Sequence, residues 1–141
     1  MTRIRSIKPE MPGNHRVAQV SRDARLMLVW LITDADDEGR LPATPKRLAG
    51  QLFPHDEDVN SEQILAWLLE LETAGLIVQY SVKGAPFVEI CGWFEHQKIS
   101  KPSPSRFPPR YAADFWDETA NCQVNDGPRE TQGNPGKPRL I

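Results

Sequence analysis

The chain of 141 residues is about one domain long, and its 39% hydrophobic residues are enough for a modest core. A net charge of −2 hides a segregation, because residues 1–30 carry +4, residues 31–75 carry −7 and residues 76–113 carry +3. No apolar run has the length of a signal peptide or a membrane span, and two distant cysteines without a CxxC motif are typical of reduced thiols. We therefore predict a cytoplasmic protein that does not bind membranes.

Proline content divides the chain. Seven of the thirteen prolines lie from Pro102 onward, and proline disfavours both helix interiors and central strands. We therefore expect a basic N-terminal arm over residues 1–13, a folded domain over residues 14–99, and a proline-rich, largely disordered arm and tail over residues 100–141.

The segment SRDARLMLVWLITDADDEG predicts a buried first helix. Ser21 is a favourable N-cap, and Asp23 lies in the first turn, where the helix dipole favours a carboxylate. The run from Leu26 to Ile32 is apolar almost all round, as expected for a central helix. The helix must end near residues 34–39, and the following GRL forms either a very short strand or a connector.

Two more helices follow. Thr44 caps the second helix, which has Pro45 at its first position, and Asn60 or Ser61 caps the third. Gly75 is a typical C′ residue after the third helix. The buried stripe expected for the third helix consists of Ile64, Leu65, Leu68, Leu69, Leu71 and Leu76.

Alternating apolar and polar residues in LIVQYSV and FVEICGW predict two antiparallel strands, with Lys83-Gly84 at the turn between them. The element order is then helix, short strand or connector, helix, helix and hairpin. This order predicts an α+β fold of the winged helix-turn-helix class, with three helices, a two- or three-stranded β-wing and an extended C-terminal tail. A small α+β domain without a specific function is the alternative.

Five stretches taken together are similar to a known family. They are RIRSIKPE at residues 3–10, DADDEGRL at 34–41, RLAGQLFPHD at 47–56, LELETAGLIVQYSVKG at 69–84 and WFEHQKISKPSPSRFPP at 93–109. They resemble phage and prophage helix-turn-helix (winged-helix) DNA-binding proteins, which are related to the N-terminal domain of phage replisome organisers and to DnaD-like replication initiators.

The resemblance covers roughly residues 3–109. It implies a protein that binds double-stranded DNA in phage replication initiation or its control, with phage or host replication proteins as further partners. A phage transcriptional regulator is an alternative. Replisome organisers carry a second domain that contacts the helicase machinery, and the residues after Arg110 are too few and too polar to form one.

Basic residues cluster on the N-terminal arm, at the start of the second helix, at the hairpin tip and after the hairpin. Phosphates attract Lys and Arg side chains as well as the N–H groups of helix N-termini. The alternative is that these clusters are solvent-exposed surface without a binding role. The candidate phosphate-contacting residues are Arg3, Arg5, Lys8, Lys46, Arg47, Lys83, Lys98, Lys101 and Arg106.

The third helix would be the recognition helix of a winged-helix protein. Its expected outer face carries three glutamates and no Lys or Arg, so only Gln63 and Thr73 are suited to base edges. Alternatively, this face is solvated or packs on a second subunit. Trp67 falls off the expected apolar stripe and is the candidate interface residue of a homodimer or protein-interaction module.

The segment KPSPSRFPP at residues 101–109 predicts a stiff, extended arm of polyproline type. Its charges suit contact with a DNA backbone, but the sequence does not decide between DNA and a protein as its partner.

Neither a metal site nor a catalytic site is expected. Asp34, Asp36 and Glu38 stand at EF-hand spacing, but Pro45 occupies the twelfth position, where a bidentate glutamate is needed. Three isolated histidines do not form a zinc site, and the chain has no glycine-rich phosphate loop or nucleophile elbow. We therefore predict a protein that is not an enzyme and uses no metal or other cofactor.

Overall fold

Five α-helices and a three-stranded antiparallel sheet form the part of the chain that the computed structural model describes, residues 3–115. In chain order the elements are α1 (His15–Ala18), α2 (Arg22–Asp34), β1 (Arg40–Pro42), α3 (Pro45–Leu52), α4 (Ser61–Thr73), β2 (Ile77–Val82), β3 (Ala85–Ile90) and α5 (Trp93–His96). Short 3-10 turns lie at Met11–Gly13 and Arg110–Ala112. The predicted α+β class is confirmed, and GRL contributes to a short strand. Within the described residues, no helix has the length and hydrophobicity required to cross a membrane.

Local chemistry sets several helix ends as the sequence predicts. The side chains of Ser21 and Asn60 accept hydrogen bonds from backbone N–H groups in the first turns of α2 and α4. At the other end of α4, the Leu76 N–H donates to the carbonyl of Leu71 over 3.0 Å, and Gly75 has a φ of +81°. This is the Schellman arrangement expected at a helix C-terminus.

The strands lie in the order β1-β3-β2, so β3 is central. The antiparallel register pairs Leu41 with Val88 and Ile77 with Ile90. All four side chains are buried in the core that the sheet shares with α2, α3 and α4. The hairpin that carries the candidate wing-tip lysine is therefore fixed to the helices through its base.

Trp67 belongs to the hydrophobic core. It is 6% exposed, and its ring centroid lies 5.4 Å from that of Phe53, so the prediction that Trp67 is an interface residue is wrong. Leu65 and Leu69 were expected in the buried stripe but are 49% and 61% exposed. The buried residues of α4 still follow helical spacing, but they lie on a side of the helix that is rotated from the predicted one. They are Ile64, Trp67, Leu68 and Leu71.

Residues 101–114, here called the strap, lie along the domain. The Tyr80 hydroxyl donates to the carbonyl of Pro108 over 2.7 Å, and burial raises the pKa of Tyr80, which keeps this donor protonated. The ring centroid of Phe107 lies 6.0 Å from that of Phe87. The described part of the expected disordered region therefore packs on the hairpin, whereas residues 116–141 lie outside the described range.

Cys91 follows β3 directly and is 7% exposed. The expectation of reduced thiols stays a prediction, because it concerns Cys122 as well as Cys91. Cys122 lies outside the described residues.

Candidate nucleic-acid interface

The loop between α2 and β1 binds the N-terminal arm through Asp37. Its Oδ1 lies 2.6 Å from Nη1 of Arg3 and 3.0 Å from Nη2 of Arg5. The side chains of Arg5 and Asp37 are each only 3% exposed. Arg5 also donates to the carbonyl of Ala35 over 2.9 Å, and its guanidinium carbon lies 5.0 Å from the ring centre of Trp93.

The predicted DNA contact of Arg5 must therefore be corrected. A phosphate cannot reach a guanidinium that is buried between a carboxylate and an indole ring, so Arg5 has a structural role here. Arg3 shares Asp37 but keeps 46% of its side chain exposed. The sequence identified the positive charges of the arm correctly, but their main partner is an acidic loop of the same chain.

The same loop binds the strap. The Ser103 N–H donates to Oδ2 of Asp37 over 2.9 Å, and the Ser105 N–H donates to Glu38 over 3.2 Å. The Ser105 hydroxyl also donates to Asp36. We call Asp36, Asp37 and Glu38 the acidic clasp, because they hold the N-terminal arm and the strap at one place.

The bonds within the clasp keep Asp37 ionised. The hydrogen bond from the Ser103 N–H is the largest influence, and together with Arg3 and Arg5 it outweighs the opposing effect of burial and lowers the pKa of Asp37 to about 2. A charged carboxylate at this position is therefore part of the folded structure at neutral pH.

Trp93 supports the acidic clasp from the core side. The indole is 5% exposed, and its Nε1 donates to the carbonyl of Asp37 over 2.9 Å. Gly39 has a φ of +81°, and a Cβ at this position would lie 2.8 Å from the indole Cγ. A glycine is needed here for both reasons, since any side chain would collide with the ring.

Arg47 also has partners within the chain. One Nη atom lies 2.9 Å from the carboxylate of Asp34, and the other donates to the carbonyl of Pro42 over 2.9 Å. The side chain is 36% exposed. Arg47 therefore braces α2 against the start of α3, and its charge is less available to an external anion than that of Lys46, which is exposed beside it.

Three exposed cations belong to the hairpin tip or lie within three residues of a residue that contacts β3. Lys83 is the tip itself, with a left-handed φ of +53°. Lys46 follows Ala43, whose N–H donates to the carbonyl of Pro86 in β3. Arg106 precedes Phe107, whose ring packs on β3. All three side chains are exposed, and we call them the tip cations.

The other predicted contacts lie elsewhere. Lys8 and Lys98 are exposed near α5, where burial and then the charge of Lys8 lower the pKa of His96. Lys101 is exposed at the start of the strap. Gln63 and Thr73 are exposed on α4, but ten residues of helix separate them by about 15 Å. The structure therefore does not join these residues into one group with the tip cations.

The acidic residues at the end of α2 and between α2 and β1, some of which stand at EF-hand spacing, bind donor groups of the protein itself. Asp34 is paired with Arg47, and the acidic clasp binds arginine and serine groups. Within residues 3–115, no group of three or more His, Cys, Asp or Glu side chains is arranged to hold a metal ion. Asp34 and the acidic clasp thus join segments of the chain.

Comparison of the chain with protein-family models, with curated proteins and with solved structures found no match in any of the three. The similarity to phage DNA-binding proteins therefore remains an expectation from the sequence stretches quoted above. The function has to be inferred from the exposed charges and surfaces of the domain.

Proposed function

We propose that the chain is a winged-helix DNA-binding protein of phage origin that acts in replication initiation or its control. In this proposal α2, α3 and α4 are the three helices, and the β2–β3 hairpin is the wing, with β1 as its third strand. The order of the elements and the antiparallel sheet support this reading. A hairpin that is fixed at its base and carries exposed residues, Lys83 and Gly84, at its tip is suited to contact a groove or a phosphate backbone.

One observation carries the DNA-binding part of the proposal. Within residues 3–115, five arginines form internal ion pairs, whereas the tip cations are exposed. The internally paired arginines are Arg3, Arg5, Arg40, Arg47 and Arg110. Cations that are not needed to hold the fold, and that lie around one rigid hairpin, are positioned to neutralise neighbouring phosphates.

The proposed contact is with the DNA backbone rather than with base edges. The exposed side of α4 includes Glu62 in its first turn and the leucines Leu65 and Leu69. A carboxylate repels phosphates, and exposed leucines offer no hydrogen bonds to bases. The hairpin and the strap, not α4, therefore lead the interaction in this proposal.

The full chain is expected to bind a duplex of about 30 base pairs with an affinity that falls steeply with salt. Three neutralised phosphates give a slope of log K against log salt of about −3. Fluorescence anisotropy of a labelled duplex between low and moderate salt measures this slope. Undetectable binding, or binding that does not change with salt, would contradict the proposed function.

A second candidate function follows from the apolar part of α4. Leu65 and Leu69 are one helical turn apart and both are exposed, which favours a protein contact on this face. The interaction module expected from the sequence would then use these leucines instead of Trp67. In this candidate the occupant is a second copy of the chain.

Changing both Leu65 and Leu69 to Gln tests this candidate. If the face joins two copies, the wild-type chain sediments as a dimer, and the double variant sediments as a monomer with an unchanged unfolding midpoint. Leu26→Gln, at a leucine of α2 that is 42% exposed, is the matched control and should leave the oligomeric state unchanged. A wild-type chain that stays monomeric at high concentration excludes the homodimer.

A further inference from the structure

The backbone donors of the hairpin tip are occupied by a carboxylate of the strap. The Lys83 N–H donates to Oδ1 of Asp114 over 2.7 Å, and the Gly84 N–H donates to Oδ2 over 3.0 Å. The Ser81 hydroxyl reaches the same Oδ2 over 3.3 Å. Three donors from one short turn therefore converge on one anion.

The geometry of the turn explains why it binds an anion. Lys83 and Gly84 have φ values of +53° and +81°, as in the type I′ turns that connect two-residue hairpins. Consecutive N–H groups in such a turn form a concavity that favours negative charge. The Lys83 side chain adds a full positive charge beside these donors.

Asp114 is held at the hairpin by these side-chain hydrogen bonds and by one from its own N–H to the carbonyl of Ser81 over 2.8 Å. Its side chain is exposed to solvent, and ion contacts in water contribute little net stability because solvent competes for both partners. Hydrogen bonds from Gly84 and then Lys83 lower the pKa of Asp114, so it is an anion at neutral pH. Another oxyanion can therefore replace the Asp114 carboxylate without disturbing buried structure.

We propose that the tip turn formed by Ser81, Lys83 and Gly84 is a binding site for a phosphate group of the DNA backbone, and that Asp114 occupies this site in the free protein. A backbone phosphate group presents one negative charge shared by two oxygen acceptors to these donors, as the carboxylate does. DNA binding then requires the end of the strap to leave the tip. This inference rests on the proposed function, and it adds a residue that weakens binding.

Asp114→Ala is expected to tighten duplex binding about five- to tenfold, because one internal competitor and one negative charge are removed. The slope of log K against log salt should become steeper by about one. Asp114→Asn keeps an acceptor without the charge and should give an intermediate affinity. Asp23→Ala, at another exposed carboxylate, is the matched control and should change the affinity less than about twofold.

A titration with inorganic phosphate tests the site without DNA. The amide NMR signals of Lys83 and Gly84 should shift in Asp114→Ala at phosphate concentrations about tenfold lower than in the wild-type chain. If the wild-type chain does not bind duplex DNA, the proposed function is wrong. The phosphate titration then still shows whether the tip turn binds an anion in competition with Asp114. Unchanged amide signals in Asp114→Ala, or equal duplex affinities of Asp114→Ala and wild type, would overturn the inference.

Discussion

Asp37→Asn is expected to lower the free energy of unfolding by about 3–5 kcal/mol, the usual cost of removing one partner from a buried ion pair. The substitution leaves the buried guanidinium of Arg5 without its counter-charge. It also weakens the contacts of Arg3 and Ser103, which meet at the same carboxylate. Urea unfolding followed by circular dichroism should show a clearly lower midpoint with an unchanged slope.

Asp23→Asn is the matched control for this prediction, because Asp23 is an exposed aspartate in the first turn of α2. Its loss should cost less than about 1 kcal/mol, the usual value of a carboxylate at a helix N-terminus. An Asp37→Asn midpoint equal to that of the control would show that the acidic clasp does not hold the domain together.

Acid should reveal the same interaction. The pKa of Asp37 is about 2 in the folded chain, below its ordinary value of 3.8. The unfolded state therefore takes up the proton first as the pH falls, and stability is lost between about pH 4 and pH 2. Asp37→Asn should lack this part of the acid dependence. If both chains lose stability equally over this interval, Asp37 is not the group responsible.

The sequence predicted those parts of the fold that local chemistry decides. Ser21, Asn60 and Gly75 mark helix ends through hydrogen bonds within one turn, so a short stretch of sequence contains the necessary information. The phase of α4 was harder, because apolar residues stand on nearly every side of that helix. Packing of Trp67 against Phe53 selects the buried side, and Phe53 lies in another segment.

The roles of the charged arms could not be predicted from the sequence alone. An arginine that binds a phosphate and an arginine that binds Asp37 look alike in the sequence, and 34 residues separate Arg3 from its partner. The acidic run at residues 34–38 was a usable signal, since two basic arms flank it in the sequence. The segregation of charge along the sequence is compatible with a DNA surface, but it is equally compatible with basic arms that bind the acidic loop of the same chain.

The sequence of the hairpin contains an indication that the strap packs on it. Val78, Tyr80 and Val82 lie on one side of β2, while Ile77 on the other side is buried in the core. Both sides of the strand thus carry apolar residues, which indicates that a further segment of the chain packs on its outer side. Phe107 is the apolar residue of the strap that packs against this sheet.

Replacing all three tip cations, Lys46, Lys83 and Arg106, by Ala is expected to weaken duplex binding at least about a hundredfold at 0.1 M salt. Each side chain is exposed, so the fold should be retained and the loss should reflect phosphate contacts alone. Anisotropy titrations at matched salt concentrations measure the affinities, and unfolding midpoints check that the variant remains folded.

The control for this variant changes the net charge by the same amount at another place. Lys8, Arg22 and Lys98 are three exposed cations outside the tip group, and all three are replaced by Ala. Binding driven only by net charge would weaken equally in the two variants. If the tip cations make the main contacts, the control variant should bind the duplex less than about fivefold more weakly than the wild-type chain does.

The salt dependence of duplex affinity, compared among the wild-type chain, the tip variant and the control variant, tests the central claim most directly. If the tip cations contact phosphates, the slope of log K against log salt is smaller in magnitude by about three in the tip variant and by less than about one in the control. A tip variant that keeps the wild-type slope, or a control that loses as much slope as the tip variant, would contradict the assignment of the hairpin tip as the DNA-binding surface.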